Sequence, residues 1–277
     1  MNCSITYIWH DCFVVELNDC ILIFDYWADP DGRIFDFITH DKPVYIFVSH
    51  HHKDHFCKEI FSWSSQLNNK ISYIISSDTA RFIKHLLSPR STYKGKLRID
   101  PERVKIMSVG ADFSDDLISV NAYGSTDIGC SYLISHSSKL IFHAGDLNAW
   151  ILEEKTPSEK AQEISNFKSI LSLIAKTSET IDLAMFPIDS RIGSDYTMGA
   201  DIFLNRFDIR HLIPMHFANC DQSLRQKRID DVIAYKNTIS LLNPNTEFHA
   251  LTNPYTGIEL SLSASIRKSS SLNNIHR

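Results

Sequence analysis

The chain reads as an α/β protein in which mixed β-sheets are covered by helices on their outer faces. Three observations predict this class. The first third is rich in short β-prone runs broken by turn residues, the remainder alternates strand-like and helical segments, and potential metal ligands recur just after several predicted strands.

Ile5 to Trp9, Phe13 to Leu17 and Ile21 to Phe24 are predicted strands, and Asp11, Asn18 and Asp19 between them read as tight turns of an antiparallel meander. Val44 to Val48 is an unbroken apolar run, the pattern of a strand buried on both faces. Ile71 to Ile75 is a further strand, and Asp78 opens a predicted helix through Thr79 to Leu87 that Pro89 ends. Strands follow at Leu117 to Ala122, Ser131 to Ser135 and Leu140 to Phe142. Thr156, Pro157, Ser158 and Glu159 spell a capping box with proline at the first helical position, and Ala161, Ile164, Phe167, Leu171 and Ile174 share one face of the helix that follows. The second half repeats the scheme with a strand at Leu183 to Phe186, a helix near Met198 to Phe207, a strand at His211 to Pro214, a helix across Arg225 to Leu241, and closing strands near Phe248 and Ile258.

A length of 277 residues with 43% hydrophobic content supports a sizeable core. Neither a Gly/Pro-rich linker nor an internal repeat divides the chain, so residues 1–262 are expected to form one domain, followed by a frayed Ser-rich tail at 263–277. The opening lacks a basic and an apolar targeting region, and no stretch approaches the roughly 18 apolar residues of a membrane span; the expectation is a cytoplasmic protein with no membrane contact. Six cysteines without a C-x-x-C pair read as reduced thiols, with Cys57 and Cys130 favoured as small buried side chains over soft ligands. The net charge of −5 argues against a nucleic-acid partner, although Lys94 to Arg103 is locally basic, and a homo-oligomer stays open.

The segment VSHHHKDHF carries the strongest functional signal. Directly after the apolar run, His50, His52, Asp54 and His55 form an H-x-H-x-D-H cluster. A turn there can aim two imidazoles at one point and a carboxylate with an imidazole at a second, the arrangement of a two-metal site. A solvated turn, the competing reading, needs no three histidines. His51 breaks the alternation and is expected to point elsewhere. Asp146 follows a predicted strand within HAGD, where Gly145 lets the backbone pass close to an ion and a carboxylate can bridge two cations. His216 in IPMHF likewise follows a strand.

Together these motifs resemble those of the metallo-β-lactamase-fold hydrolases, over roughly residues 3 to 262. Within that superfamily, WHDCFVVE, ILIFDYW and IPMHF are similar to a cytoplasmic branch of ascorbate-phosphate lactonase-like and uncharacterised hydrolases. The resemblance implies a four-layer αββα sandwich with metals at one edge of the two sheets. It implies that His50, His52 and Asp146 serve one metal, and Asp54, His55, Asp146 and His216 the other. The implied cofactor is one or two divalent ions per chain, zinc foremost, with manganese or iron as alternatives. The family's third histidine for the first metal is missing: the matching segment AYGSTDIGCSYLI has Ser125, Thr126 and Asp127 instead. Asp127, a water or His143 would then complete that shell, at lower affinity or with a preference for a harder ion.

Around these, His10 is expected near the metals in a supporting or substrate-contacting role, and His143 reads as structural. Asp189, Arg191 and Tyr196 fall on a loop expected to face the site, with Arg191 holding an anionic group of the substrate or merely bridged within its loop. The expected activity is hydrolysis of a small-molecule ester, lactone or phosphodiester bearing negative charge, by a metal-activated hydroxide, with Asp54 also acting as the catalytic base. A nuclease of the same fold is the alternative enzyme, and a degenerate metal-binding member without activity the alternative from another class. His52 argues against oxygen-reducing diiron relatives, which carry Glu at that position.

Overall fold

Two seven-stranded mixed sheets stack face to face in the computed structural model, which describes residues 2–38, 41–67, 70–87, 99–219 and 222–262. The first sheet collects β1 (Asn2–Trp9), β2 (Cys12–Glu16), β3 (Ile21–Phe24), β4 (Val44–Val48), β5 (Ile71–Ser76) and β6 (Val104–Met107). The second collects β7 (Asp112–Ser114), β8 (Ser119–Gly124), β9 (Cys130–His136), β10 (Lys139–His143), β11 (Thr180–Pro187), β12 (Asp208–Met215) and β13 (Glu247–Phe248). The last strand, β14 (Gly257–Ser261), returns to the first sheet beside β1.

The meander of β1, β2 and β3 is antiparallel, and β3 to β6 run parallel. In the second sheet β10 to β13 run parallel, while β7 to β10 are antiparallel. Loops leaving the C-terminal ends of β1, β3 and β4 in one sheet and of β10, β11 and β12 in the other therefore supply the residues of one edge.

β4 shows why its sequence lacks alternation. Tyr45 and Phe47 enter the core between the sheets, whereas Val44, Ile46 and Val48 join an outer cluster with Ile60, Phe61 and Trp63 of the 3-10 segment Lys58–Ser65. Both faces are dry, so both must be apolar. The outer face of the second sheet is covered by α3 (Pro157–Thr177), α4 (Met198–Arg206) and α5 (Gln222–Leu242). There Phe203 stacks on Phe186 with ring centroids 4.6 Å apart. Each such fully buried ring contributes on the order of 1.5–3 kcal/mol of transfer free energy.

The capping box at α3 is present: Thr156 accepts from the Glu159 backbone N–H, and the Glu159 carboxylate accepts from the Thr156 backbone N–H. Other expectations need correction. The helix expected from Asp78 to Leu87 is two short helices, α1 (Ser77–Phe82) and α2 (Lys84–Leu87), and its cap is Ser76. Asp78 is not the cap because its carboxylate instead binds the Ser76 hydroxyl and His51. Ala161 is exposed, and α3 buries Phe167, Leu171, Ile174 and Ala175. The strands β6 and β7 leave no mark in the sequence: they are short, half-exposed edge strands carrying Lys105 and Asp112, without a periodic apolar face. The tail at 263–277, Pro89, Cys220 and most of the basic stretch from Lys94 fall outside the described residues. Cys3, Cys12, Cys20, Cys57 and Cys130 are free thiols, and no helix among the described residues is long and apolar enough to cross a membrane.

Candidate metal centre

Ser49, at the end of β4, is the floor on which the site is built. Gly129 and Gly145 both press against it in the left-handed region of φ: a Cβ on Gly129 would lie 2.1 Å from the Ser49 carbonyl oxygen, and one on Gly145 2.7 Å from Ser49 Cβ. Only glycine permits this approach, which brings the loop carrying Asp127 and the loop carrying Asp146 onto the histidine turn. Three other residues at the site, His10, Asp25 and His216, also have positive φ, at 56°, 40° and 68°. Such conformations cost free energy and persist only where surrounding contacts hold them.

Asp146 stands between two groups of ligand atoms. Its Oδ1 lies 3.0 Å from His55 Nε2 and 3.1 Å from His216 Nε2, whereas its Oδ2 faces His50 Nε2 at 3.4 Å. On the Oδ2 side, His50, His52, Asp127 and Asp146 have ligand atoms mutually within 4.8 Å. On the Oδ1 side, His10, Asp11, His55 and His216 form a second such group.

Carboxylates behind the imidazoles set their orientation. Asp25 Oδ2 lies 2.8 Å from His55 Nδ1, and Asp189 Oδ2 lies 2.9 Å from His216 Nδ1, which Arg191 Nη2 also approaches at 3.0 Å; both rings turn Nε2 toward Asp146. His50 Nδ1 lies 2.9 Å from Ser49 Oγ, which donates to Asp25. This is the outer-shell pattern that fixes the tautomer of a metal-ligating histidine.

The charge balance fits a cation. His55 Nε2, Asp146 Oδ1 and both Asp11 carboxylate oxygens are buried without a hydrogen-bond partner. Burial pushes the two imidazoles down, yet the facing carboxylates of Asp146 and Asp11 outweigh it, holding His55 well above the usual range and His216 up at about 10. Burial raises Asp146 too, but His55 and His216 hold it well below the carboxylate range. In a metal-free pocket protons on His55 and His216 supply the positive charge that the acids demand; a divalent cation supplies it while leaving both imidazoles neutral as ligands.

Of the residues singled out in the sequence, His50, His52, His55, Asp146, His216 and Asp127 converge here. Asp127 Oδ2 is 3.5 Å from His52 Nδ1, in the segment that lacks the third histidine, while Thr126 is engaged with the Asn148 backbone. Asp54 stands slightly apart: its Oδ2 accepts from Asn219 Nδ2 at 2.9 Å and lies 3.8 Å from His10 Nε2. His10 Nδ1 accepts from the Asn219 and Ala218 N–H groups at 3.1 and 3.3 Å, so the proton of its neutral ring sits on Nε2. A nitrogen that keeps its proton has no lone pair for a metal; in this tautomer His10 is not a ligand, and its Nε2 faces Asp11 Oδ2 at 3.3 Å without a hydrogen-bond partner.

His143 has both ring nitrogens engaged, with the Asp11 carbonyl at 3.1 Å and the Gly145 N–H at 3.2 Å, which leaves no atom for a shell. His51 turns away to Asp78 at 2.8 Å. Asp189 is fully buried behind His216 and orients that ring from the wall of the cleft. Arg191 binds Asp189 through Nε at 2.7 Å and also lines a cleft of ≈ 510 Å³ over the centre, with Asp54, Trp150, Leu152 and Lys155. Tyr196 is not brought to that cleft; its hydroxyl donates to the Asp231 carbonyl on α5. Sequence reasoning missed two residues. Asp11 reads as an ordinary turn residue, and Asp25 as the polar end of β3; only their complete burial reveals their part.

No model of a known protein family matches the sequence. Among solved structures, Igni18, a metallo hydrolase of Ignicoccus hospitalis, superposes over 94% of this chain and 99% of its own with a TM-score of 0.61 at 15% identity. YhfI of Bacillus subtilis, a metallo-β-lactamase fold protein, does so over 93% and 99% with a TM-score of 0.57 at 12% identity. The chain has the metallo-β-lactamase fold. Its four layers, helices outside two sheets, are those expected from the sequence. A metal-dependent hydrolase of Natranaerobius thermophilus is 24% identical over 205 residues, which are 72% of this chain and 74% of the relative. CmlA of Streptomyces venezuelae, a diiron β-hydroxylase, superposes with a TM-score of 0.59 at 12% identity over 93% of this chain and 54% of its own. One scaffold thus serves more than one chemistry, and the choice lies in the site.

Proposed function

We propose that the protein is a metal-dependent hydrolase acting on a small anionic ester, lactone or phosphodiester, with one or two divalent cations as cofactor and zinc foremost among them. The observation that carries this reading is Asp146, whose two carboxylate oxygens face two separate groups of nitrogen and oxygen donors. On one side His55, His216, Asp11 and Asp146 would hold an ion; on the other His50, His52, Asp146 and, in place of the absent imidazole, Asp127. Bound there, such ions supply Lewis acidity and acidify coordinated water, as in other hydrolytic metal sites.

The chain's own groups do the rest. Asp54, half-buried and fixed by Asn219, accepts the proton of the attacking water. His10 turns an Nε2–H without a protein partner into the same space, free to donate to a bound group, and, held neutral by burial, adds no positive charge there. Arg191 and Lys155 on the cleft wall, paired with Asp189 and Glu163, are the cations a negative substrate group would meet, and Trp150 and Leu152 offer it an apolar face while displacing water.

Metal analysis of protein purified without chelator, combined with a panel of esters, lactones and phosphodiesters under added Zn²⁺, Mn²⁺ or Fe²⁺, tests this. Bound metal with turnover that His55→Ala abolishes is the expected result. Zero or one ion and no turnover across the panel would instead establish a non-catalytic member of the fold.

A further inference from the structure

A second constellation of metal-ligating side chains lies on β12 away from the centre. His211 lies in β12, four residues before its last residue Met215, which directly precedes His216, so the two histidines are roughly 16 Å apart at the usual rise per residue. Across the ladder, His211 pairs with Glu247 of β13, and His249 follows directly after that strand. His211 Nδ1 lies 3.1 Å from His249 Nε2 and 3.5 Å from Glu247 Oε2, and His249 Nε2 lies 3.9 Å from the same oxygen.

Two ligands each at zinc's usual bond length from a tetrahedral centre are about 3.3 Å apart. Two of the three separations, 3.1 and 3.5 Å, match an edge of such a tetrahedron, and the third, 3.9 Å, closes to it by a turn of the exposed Glu247 side chain. The rings are tilted by 40°, and His211 Nδ1 and His249 Nε2 share a hydrogen bond. His211 is buried, His249 mostly so, and Glu247 is open to solvent, which leaves the fourth position to water. Burial lowers both imidazoles, His211 to about 4, so both are neutral at physiological pH. Arg210, Asp182 and Lys236 also act on this pair electrostatically. With two imidazoles and a single carboxylate, the donor set suits nitrogen-preferring ions such as Zn²⁺, not oxygen-preferring Mg²⁺ or Ca²⁺.

We infer that His211, Glu247 and His249 form a separate structural site for a zinc-type divalent cation, which clips the edge strand β13 to the sheet. The clip has a mechanical reason. β13 is two residues long and pairs with β12 at only two positions, so few backbone bonds hold the chain between α5 and β14. This inference is independent of the hydrolase reading, since none of its residues touches the centre around Asp146.

The test counts zinc on full-length protein stripped with chelator, equilibrated with Zn²⁺ and desalted. His249→Ala is expected to bind one zinc fewer than the unaltered protein and to lose part of the zinc-dependent rise in Tm. His55→Ala is expected to keep the ion that His249→Ala loses, so an empty centre at Asp146 does not obscure the count. Equal zinc contents in the unaltered protein and His249→Ala, meaning that the two rings share only a hydrogen bond, overturn the inference. Glu247→Gln, at an exposed position that does not threaten folding, is the second variant. Weaker zinc retention against a graded chelator supports the site, and unchanged retention refutes it.

Discussion

Asp25 Oδ2 lies 2.8 Å from His55 Nδ1, and this contact between two buried side chains decides where His55 Nε2 points. Asp25 is itself fixed by Ser49, whose N–H and hydroxyl donate to its two oxygens at 2.7 and 2.5 Å. Asp25→Asn keeps the volume but removes the charge that makes Nε2 the better donor. We expect metal affinity or activity to fall by roughly 10–100-fold, the usual cost of losing such a partner. Competition with a chromogenic chelator measures it; unchanged affinity would mean that Asp25 only fills space.

Asp11 is the carboxylate that the sequence hides. Its Oδ2 lies 3.3 Å from both His10 Nε2 and His55 Nε2, and burial raises it to about 7 in the metal-free pocket. Asp11→Asn is expected to cost the ion on the His55 side and leave the one near His50. Metal stoichiometry reads this directly. If both ions stay, Asp11 is not a ligand.

Asp127 occupies the position of the missing imidazole. Because it is exposed, its removal opens no cavity, and Asp127→Ala is expected to retain the fold with an unchanged far-UV spectrum while losing metal from the His50 and His52 side. Asp127→His is expected to restore or exceed the original affinity there, since imidazole suits zinc better than a lone carboxylate. Isothermal titration of both variants against Zn²⁺ decides the matter; two identical isotherms would remove Asp127 from the site.

Opposite pH trends are expected for metal-free and metal-loaded protein. His216 is raised from 6.5 to about 10 by Asp146 and Asp11, against the effect of burial. In the metal-free state that stabilisation is full below about 6.5, the unfolded value, and is lost as pH climbs through about 10. With metal bound, protons compete for the same nitrogens, so stability gained from the ion falls as pH drops. Tm measured between neutral and alkaline pH, in chelator and in zinc, should therefore slope downward in the first series and not in the second. Parallel slopes would show that no ion replaces these protons.

Much of the fold is legible in the chain because buried strands leave strong local marks. The unbroken run of β4, the meander of β1 to β3 and the capping box at Thr156 each follow from a few adjacent residues. β6 and β7 are not legible, since a half-exposed edge strand needs no periodic apolar face. Likewise His50, His52 and His55 stand out through dense spacing, whereas Asp11 and Asp25 are isolated acids whose meaning depends on being buried.

The amino-acid sequence by itself thus determined the layered α/β class, the histidine turn after β4 and the strand-end positions of Asp146 and His216. Tertiary structure decided the rest: that His10 keeps its Nε2 proton because Ala218 and Asn219 donate to its other nitrogen, that Asp189 backs His216, and that Asp127 reaches His52. Periodicity and spacing are properties of neighbouring residues. Tautomer, burial and ligand distance instead depend on groups brought together from chain positions as far apart as 10 and 219, which only the packed sheets define.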